Sequence, residues 1–253
     1  MPEEKCVALV TGASSGIGAE YCRQLADRCE LIIAVARRSE RLTELQRSLS
    51  AQTEVHPVQA DLTTVEGMAR TLEALRQLGP VRYLINNAGF STFGFFNDQD
   101  IQSQRDMISL HADATISLCA AAVPYMRQQG GGYIVNVASI GGFLPSKGVA
   151  VYGATKAFLN FYSQSLQAEL TGSGIEVQAL CPGYTHTEFQ AGMDELGFDK
   201  TKIPEHMWMS ADRVVEKSLA ALGNGHVVVV TGDANAALVK ERLQRQIDEL
   251  AVV

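Results

Sequence analysis

Tyr152 and Lys156 are the two residues whose types and spacing most directly suggest acid–base chemistry. They lie four positions apart at the start of an apolar stretch with helical spacing, and residues i and i+4 of a helix share one face. A phenol ionises at about pH 10, and a cation within a few ångströms lowers that pKa toward neutral pH. We therefore expect a proton-transfer pair, although the same spacing also arises by chance between surface residues of ordinary helices.

The elements that must position this pair form a regular alternation. Short apolar segments, typical of parallel strands covered on both faces, alternate with segments of helical spacing. This pattern predicts an α/β fold with a doubly wound parallel sheet, in one domain over residues 1–253. Strands are expected at 7–10, 31–36, 55–59, 83–86, 133–137, 175–180 and 227–231, and helices at 17–27, 40–50, 65–78, 100–128, 152–171 and 211–222.

The composition indicates an acidic globular enzyme and excludes several other classes. The chain has 253 residues, 46% of them hydrophobic, and a net charge of −7, which is unsuited to nucleic acid or anionic lipid because both attract basic surfaces. Five cysteines without Cys-x-x-Cys spacing, and histidines without metal-ligand spacing, predict reduced thiols and no metal site. We find neither a signal peptide nor an apolar run of membrane-spanning length, so we expect a cytoplasmic protein without a transmembrane segment.

A glycine-rich turn links the first strand to the first helix. The turn, Thr11-Gly-Ala-Ser-Ser-Gly-Ile-Gly18, lets the backbone bend sharply and approach a pyrophosphate, while the helix N-terminus offers unpaired N–H groups. Such turns are weak signals alone, but this one has the required strand–helix context. We expect a dinucleotide to be bound through Gly12, Ser14, Ser15, Gly16, Ile17 and Gly18.

The residues after the second strand bear on the choice of cofactor. A carboxylate there would bind the ribose 2′-hydroxyl of NAD, whereas an arginine would bind the 2′-phosphate of NADP. The strand ends in Ala36-Arg37-Arg38 without an acid, so NADP(H) is expected in preference to NAD(H). The alternative is that both arginines are solvated charges opening a helix, where cations are disfavoured unless an anion binds.

Further candidates follow the next four strands. Asp61-Leu62, Asn87-Ala88-Gly89, Ser139 and Pro182-Gly183 each come directly after an expected strand. Ligands of open α/β sheets bind outside the carboxyl ends of the strands. We therefore expect all of these residues to line one crevice.

Several of these motifs occur together in a fixed order: Thr-Gly-x-x-x-Gly-x-Gly at 11–18, Asn-Asn-Ala-Gly at 86–89, Ser139, Tyr-x-x-x-Lys at 152–156 and Pro-Gly-x-x-x-Thr at 182–187. In these motifs the chain resembles the short-chain dehydrogenase/reductase family over nearly its whole length. The resemblance implies a Rossmann-type sheet of about seven parallel strands in a three-layer α/β/α fold. It also implies NADP(H)-dependent hydride transfer between the nicotinamide and a carbonyl or secondary alcohol.

The resemblance also implies a role for the matching residues. Tyr152 would protonate the carbonyl oxygen, or deprotonate the alcohol in reverse; Lys156 would lower the proton affinity of the phenol and hold the nicotinamide ribose; Ser139 would hydrogen-bond the substrate oxygen. Asp61 would accept from the adenine amino group and Leu62 would flank the adenine, Asn87 would lie beside the cofactor ribose, and Tyr184, Thr185 and Thr187 would fix the carboxamide. Ala88, Gly89, Pro182 and Gly183 are further cofactor-binding candidates.

His111 departs from the family pattern. The family usually has asparagine in a Met-x-x-x-Asn setting, and here Met107 leads to His111. The asparagine is thought to shape a proton relay through a water on its main-chain carbonyl, which a histidine also possesses. Either the relay is retained, with a ring that titrates near neutral pH, or His111 fills the space and hydrogen-bonds the backbone.

The long connection at residues 181–209 predicts a substrate-binding lid at about 183–209. The alternative is an ordinary surface excursion capped by short helices. Apolar residues at the expected mouth favour an apolar ketone, aldehyde or secondary alcohol, unless they belong to the core. These residues are Phe90, Phe93, Phe95, Phe96, Phe143, Leu144, Phe189, Met193, Phe198 and Trp208.

Two surfaces suggest self-association. The resemblance implies a homodimer or homotetramer through the helices at 100–128 and 152–171, and the small apolar face of the latter permits close packing. A C-terminal apolar stripe could dock on its own domain, a second subunit or a membrane, and we expect its own domain. The stripe comprises Leu238, Val239, Leu243, Ile247 and Leu250.

Two rival functions follow from the same motifs. A catalytically silent NADP-binding sensor would keep the fold, but it would not need the proton donor that Tyr152 supplies. A sugar epimerase of the extended type would carry a larger C-terminal substrate domain than this chain has.

Overall fold

A seven-stranded parallel sheet forms the centre of the computed structural model, which describes residues 6–190 and 199–250. Its strand order is β3-β2-β1-β4-β5-β6-β9. The sequence-based prediction of a doubly wound, Rossmann-type sheet is confirmed. The strands are β1 Val7–Thr11, β2 Leu31–Ala36, β3 Glu54–Gln59, β4 Tyr83–Asn86, β5 Gly132–Val137, β6 Ile175–Cys181 and, after two short strands described below, β9 Val228–Val230.

Helices cover both faces of this sheet. The alternation of side chains along β1 separates the two cores, with Ala8 and Val10 in one and Val7 and Leu9 in the other. The first core is closed by α1 Gly16–Leu25, α2 Ser39–Leu49 and α7 Ala211–Ala221. The second is closed mainly by α3 Val65–Leu78 and α5 Ala114–Gln128, with α6 Ala150–Glu169 packed beside them.

One continuous helix runs from Ile101 to Gln128. It comprises α4 Ile101–Ile108, a π-helical turn at Ser109–Asp113, and α5. By length and composition it could cross a membrane, which corrects the expectation that no apolar run approaches that length. Core helices of globular proteins share this length and composition, and Leu118, Ala122 and Met126 of this helix are buried against the sheet.

The expected lid leaves and rejoins the fold at a small parallel ribbon. Strand β7, Tyr184–His186, pairs with β8, Trp208–Ser210. Short 3-10 turns at Glu188–Gln190, Lys200–Lys202 and Glu205–Met207 belong to the same connection. Met193 and Phe198, which we named as apolar residues of the lid, lie outside the described residues.

The C-terminal helix, α8 Asp233–Asp248, is only partly packed. Val239 is buried, but Leu238, Leu243, Ile247 and Leu250 remain exposed. The expected packing on its own domain therefore holds for Val239 and not for the four exposed residues of the stripe. The five cysteines are free thiols, with Cys6 Sγ and Cys29 Sγ 2.7 Å apart.

Candidate active site

A cleft of about 510 Å³ opens where the carboxyl ends of β1 to β6 meet. The strand order reverses between β1 and β4, which is the place where open α/β sheets bind ligands. Most of the residues predicted from sequence line this cleft. They are Gly12, Ser14, Ser15, Gly16, Ile17, Arg37, Arg38, Asp61, Leu62, Asn87, Ala88, Gly89, Ser139, Tyr152, Lys156, Pro182, Gly183, Thr185 and Thr187.

Three predicted residues do not line the cleft. Gly18 lies behind the glycine-rich turn, where a Cβ would come within 2.3 Å of the Gly12 carbonyl oxygen. Tyr184 packs on Trp208 in the β7–β8 ribbon, with ring centroids 5.4 Å apart. His111 lies behind Gly89, whose added Cβ would be 2.6 Å from the imidazole Nε2. Gly18 and His111 therefore lie directly behind residues that line the cleft.

The glycine-rich turn is held open by its neighbours. Gly12 and Gly16 have φ angles of 67° and 54°, which residues other than glycine rarely adopt. The Thr11 hydroxyl accepts from the backbone N–H groups of Asn87 and Ala88 at 2.9 and 3.0 Å. Asn87, expected beside the cofactor ribose, also donates from its amide to the Thr11 carbonyl at 2.9 Å. The turn after β4 therefore fixes the turn after β1.

The first helix presents an N-terminus suited to an anion. The N–H groups of the first helical turn have no partner within the helix, and the helix dipole favours negative charge there. The Ser15 hydroxyl, at the N-cap, accepts from the Arg38 guanidinium at 2.7 Å instead of capping the helix. Arg38 also donates to Ser14 at 3.1 Å. These contacts bring a cation next to the N-terminus of α1.

Asp61 is held in its charged form at the other side of this end of the cleft. Its carboxylate accepts from the Thr63 N–H at 3.0 Å and the Thr63 hydroxyl at 2.7 Å. Partial burial acts against the charge, but these bonds and the nearby Arg37 lower the pKa of Asp61 overall. Thr63 lines the cleft as well, and the sequence analysis did not identify it.

Ser139 and Tyr152 meet at the other end of the cleft. Ser139 follows β5, and its hydroxyl oxygen accepts from the Gly141 N–H at 3.0 Å, so its hydrogen is free for another acceptor. Tyr152 lies in the first turn of α6 and forms a hydrogen bond with Ser139 that lowers the phenol pKa. Lys156 lies one turn later, and its ammonium donates to the Val137 carbonyl at 2.7 Å.

We expected Lys156 to lower the pKa of Tyr152, but among the protein's own groups the pKa of Tyr152 is raised. Burial raises the pKa of Tyr152 to about 12 and outweighs the hydrogen bond from Ser139. Burial also lowers the pKa of Lys156 to about 7, so this amine carries only part of its charge at neutral pH. Its nitrogen lies 5.7 Å from the Tyr152 ring centroid. The phenol is therefore a proton donor at neutral pH.

A buried polar chain fixes α6 on the sheet. Asn86 on β4 donates to Asn136 on β5 at 2.8 Å, and Asn136 donates to the Ser163 hydroxyl on α6 at 2.9 Å. Ser163 in turn donates to the Leu159 carbonyl at 2.7 Å. The sequence analysis did not identify Asn136 or Ser163, because nothing in the sequence pairs positions 27 residues apart.

The aromatic residues expected at the mouth divide into separate groups. Phe90 and Phe189 line the cleft, and the Phe189 ring centroid lies 5.9 Å from that of Tyr152. Phe95 and Phe96 are 68% and 61% exposed at a 3-10 turn outside it. Phe143 packs in a small core beside α6, and Trp208 stacks on His186 in the ribbon. Among the described residues 6–190 and 199–250, two of the expected phenylalanines, Phe90 and Phe189, therefore supply the apolar surface of the cleft.

The residues of the cleft fit a nicotinamide dinucleotide. One end offers backbone N–H groups of a helix N-terminus and the glycine cradle, in which Gly16 approaches Thr187 so closely that a Cβ would lie 3.0 Å from its methyl group. The other end presents Ser139, Tyr152 and Lys156. A dinucleotide needs an anion site at one end and a reactive centre at the other, and the cleft has both.

Comparisons with known proteins agree with this geometry. Residues 6–195 match the short chain dehydrogenase family model. A short-chain dehydrogenase from Sphingobium yanoikuyae, solved in complex with NADPH, is 36% identical, with a TM-score of 0.82 over 97% of this chain and 96% of that one. A bulky-bulky ketone specific alcohol dehydrogenase from Comamonas testosteroni is 33% identical, with a TM-score of 0.79 over 97% and 95% of the two chains.

A relative of defined activity also matches. The sulfoacetaldehyde reductase 2 of Chromohalobacter salexigens is 33% identical over 208 residues, which cover 78% of this chain and 82% of the relative. These matches do not support the alternative of a catalytically silent sensor. The chain belongs to the short-chain dehydrogenase family and is an oxidoreductase that acts on CH–OH donors.

Proposed function

We propose that this protein is an NADP(H)-dependent reductase of ketones or aldehydes, and in reverse a secondary alcohol dehydrogenase. One observation carries the proposal: Ser139, Tyr152 and Lys156 meet at one end of a cleft whose other end holds Arg37 and Arg38. A proton donor and a phosphate-binding cation at opposite ends of one dinucleotide-sized cleft correspond to the two needs of this reaction.

Tyr152 and Ser139 act on the carbonyl oxygen. A bound nicotinamide supplies the hydride, and negative charge then develops on the substrate oxygen. The Ser139 hydroxyl turns its single hydrogen from Tyr152 to that oxygen, while its own oxygen still accepts from the Gly141 N–H. The Tyr152 phenol, which burial keeps protonated at neutral pH, donates the proton.

Lys156 supports this step through its charge. Its amine lies one helical turn below Tyr152 and donates to the Val137 carbonyl. The negative charge that forms on Tyr152 favours the ammonium form of Lys156, since an opposite charge nearby raises the pKa of an amine. The charged Lys156 then stabilises the tyrosinate that remains after proton transfer and offers a donor to the cofactor ribose.

Two arginines support a preference for NADP(H) over NAD(H). Arg37 and Arg38 follow β2, and Arg38 already contacts Ser14 and Ser15 of the glycine-rich turn. A 2′-phosphate would satisfy both guanidinium groups. In support, the Sphingobium yanoikuyae relative was solved with NADPH.

The substrate class that the cleft favours is an apolar ketone or aldehyde. Phe90 and Phe189 supply the apolar surface next to Tyr152. The Comamonas testosteroni relative is specific for bulky-bulky ketones, which supports this choice. The sulfoacetaldehyde reductase relative indicates the second candidate, a small anionic aldehyde.

An NADPH-oxidation screen tests the proposal. Ketones and aldehydes of graded size, including aryl ketones and sulfoacetaldehyde, are offered to the wild type and to Y152F. We expect turnover of apolar carbonyls by the wild type and a loss of at least about a hundredfold in Y152F. Equal activity in Y152F would contradict the role of the phenol. Preference for sulfoacetaldehyde would favour the anionic substrate instead.

Cofactor preference is tested by binding. R37A and R38A are each expected to weaken NADPH about tenfold or more while leaving NADH within about twofold, because only NADPH carries the 2′-phosphate. Fluorescence titration of both nucleotides measures the two dissociation constants. Equal losses for both nucleotides would contradict the 2′-phosphate assignment.

We also infer a homodimer formed through the outward face of α6. Phe161 is 75% exposed, and Ala154, Ala157 and Ser165 lie exposed on the same face. Exposed Ile108 and Ile116 on the neighbouring helix extend this apolar surface. Analytical ultracentrifugation should show a dimer or tetramer for the wild type and for F96E, and a smaller species for F161E. A monomeric wild type would overturn the inference.

A further inference from the structure

His111 is a buried titratable group beside the catalytic helix that the reaction described above does not use. Its side chain is 1% exposed and lies in the π-helical turn Ser109–Asp113. Its Nδ1 lies 2.8 Å from the Thr155 hydroxyl oxygen, and its Nε2 lies 3.3 Å from the backbone nitrogen of Phe90. The ring therefore joins the wall of the cleft to the catalytic helix α6.

The partners of this ring define its tautomer. Thr155 Oγ1 lies 2.8 Å from the Tyr152 carbonyl oxygen, which can only accept, so the single hydroxyl hydrogen of Thr155 is donated there. Nδ1 of His111 must then donate to Thr155. The backbone N–H of Phe90 can only donate, so Nε2 must accept. Both nitrogens of a neutral, Nδ1-protonated imidazole are satisfied by this arrangement.

An imidazolium would break the arrangement. A second proton on Nε2 would face the Phe90 N–H, and burial together with the Lys156 ammonium lowers the pKa of His111 well below its ordinary value. The titratable groups of α6 near the ring are Tyr152, whose ring centroid lies 6.0 Å away, and Lys156. A ring with both nitrogens engaged and no stable cationic form is unsuited to carrying a proton.

The three bonds run in one direction. Phe90 donates to His111, His111 donates to Thr155, and Thr155 donates to the carbonyl of Tyr152. Chains of hydrogen bonds that are oriented head to tail strengthen one another in a buried site. Gly89 is part of the same arrangement, because a Cβ there would lie 2.6 Å from His111 Nε2.

We propose that His111 is a positioning residue whose neutral, Nδ1-protonated imidazole holds the Tyr152 turn of α6 at a fixed distance from the Phe90 wall of the cleft. The proposal rests on the proposed function, since it assigns Tyr152 as the proton donor. It chooses between the two sequence-based alternatives: the ring bonds the backbone and does not titrate near neutral pH.

The tautomer is tested without any substrate. Long-range ¹H–¹⁵N correlation spectra of the ¹⁵N-histidine-labelled wild type, with His111 assigned by its absence in H111Q, report which nitrogen is protonated. We expect a neutral Nδ1–H ring that does not titrate between pH 6 and 8. A ring that titrates in this range, or an Nε2–H tautomer, would overturn the proposal.

The positioning role is tested with Thr155. T155V removes the acceptor of the His111 bond and should lower kcat about tenfold, with the kinetic pKa values and NADPH affinity unchanged. T155S restores the hydroxyl and should restore most of the rate. The matched control is T71V, since Thr71 is also a buried threonine bonded to a helix carbonyl, in α3, and does not line the cleft. Equal rates for T155V and T71V would contradict the proposal.

A proton-carrying imidazole gives a different result. In that case H111N would abolish turnover or remove an ionisation from the pH profile of kcat. If His111 is a positioning residue, its loss should lower kcat by the same factor at every pH, and H111N should retain part of the activity. The double variant H111N/T155V should be no worse than the poorer single variant, because both act in one chain of bonds. A wild type that reduces no carbonyl would reject the proposed function, while the spectra would still test the ring.

Discussion

The Arg38 guanidinium donates to the Glu188 carboxylate at 2.8 Å, and this ion pair joins the start of α2 to the segment after β7 across the cleft. Glu188 also lies 3.6 Å from Arg41. Both partners of the Arg38–Glu188 pair are about half exposed, at 45% and 51%. The Glu188 carboxylate therefore pairs with the same Arg38 guanidinium that we expect to bind the cofactor 2′-phosphate.

Removal of this competing carboxylate should tighten NADPH binding. An exposed ion pair contributes at most about 1 kcal/mol, so E188Q is expected to lower the NADPH dissociation constant about two- to fivefold and to leave NADH unchanged. The control is E205Q, a carboxylate in the same connection that faces His186 instead. Unchanged NADPH affinity in E188Q would mean that Glu188 does not compete for Arg38. Fluorescence titration at low ionic strength measures the effect.

The buried Lys156 should make stability depend on pH. Its pKa falls from 10.5 in the unfolded chain to about 7 in the fold, so the unfolded chain binds more protons between these values. The stability contributed by this group is therefore full above about pH 10.5 and is lost progressively as the pH falls from 10.5 to about 7. The free energy of unfolding of the wild type should rise relative to that of K156M between pH 7 and 9. Urea unfolding measures the free energy of unfolding of both proteins at each pH. A difference between them that stays constant from pH 7 to pH 9 would refute this.

Phe189 should select for larger substrates. Its ring lies beside Tyr152 and forms part of the apolar wall. F189A is expected to raise KM for an aryl ketone about tenfold with little change in kcat, while KM for a two-carbon aldehyde changes less than about twofold. Steady-state kinetics with F96A as the control, an exposed phenylalanine outside the cleft, provides the comparison. Equal effects on both substrates would show that the ring has no part in specificity.

Ser163 should support catalysis through the position of α6. S163A leaves Asn136 without its acceptor in the buried chain and is expected to cost about 1–3 kcal/mol of stability, together with a several-fold loss of kcat. Ser218 is the matched control, because this buried serine bonds Tyr21 and Gln178 on the opposite face of the sheet. S218A should lose similar stability without loss of turnover. Equal turnover in both variants would exclude a special link between Ser163 and the site.

Local sequence patterns were sufficient for most of the fold. The seven strands were predicted within one residue of their bounds in most cases, because a parallel strand covered on both faces must be continuously apolar. The sharing of one cleft by residues that follow six strands came from a rule that holds for all such sheets, whereas the order of the strands was not predicted and was read from the structure. The long helix was also predicted, but its π-helical turn at Ser109–Asp113 was not, since no residue type marks an extra residue in a turn.

The sequence by itself determined the reactive groups of this protein: a phenol and an amine at helical spacing, a glycine-rich turn between strand and helix, and two arginines after β2. Only the tertiary structure decided their electrostatics and their partners. Burial raises the pKa of Tyr152. The degree of burial depends on atoms from several elements of the fold. Arg38 is shared with Glu188, 150 residues away, and His111 is fixed by Phe90 and Thr155. Such contacts join residues distant in sequence, and no local pattern encodes them.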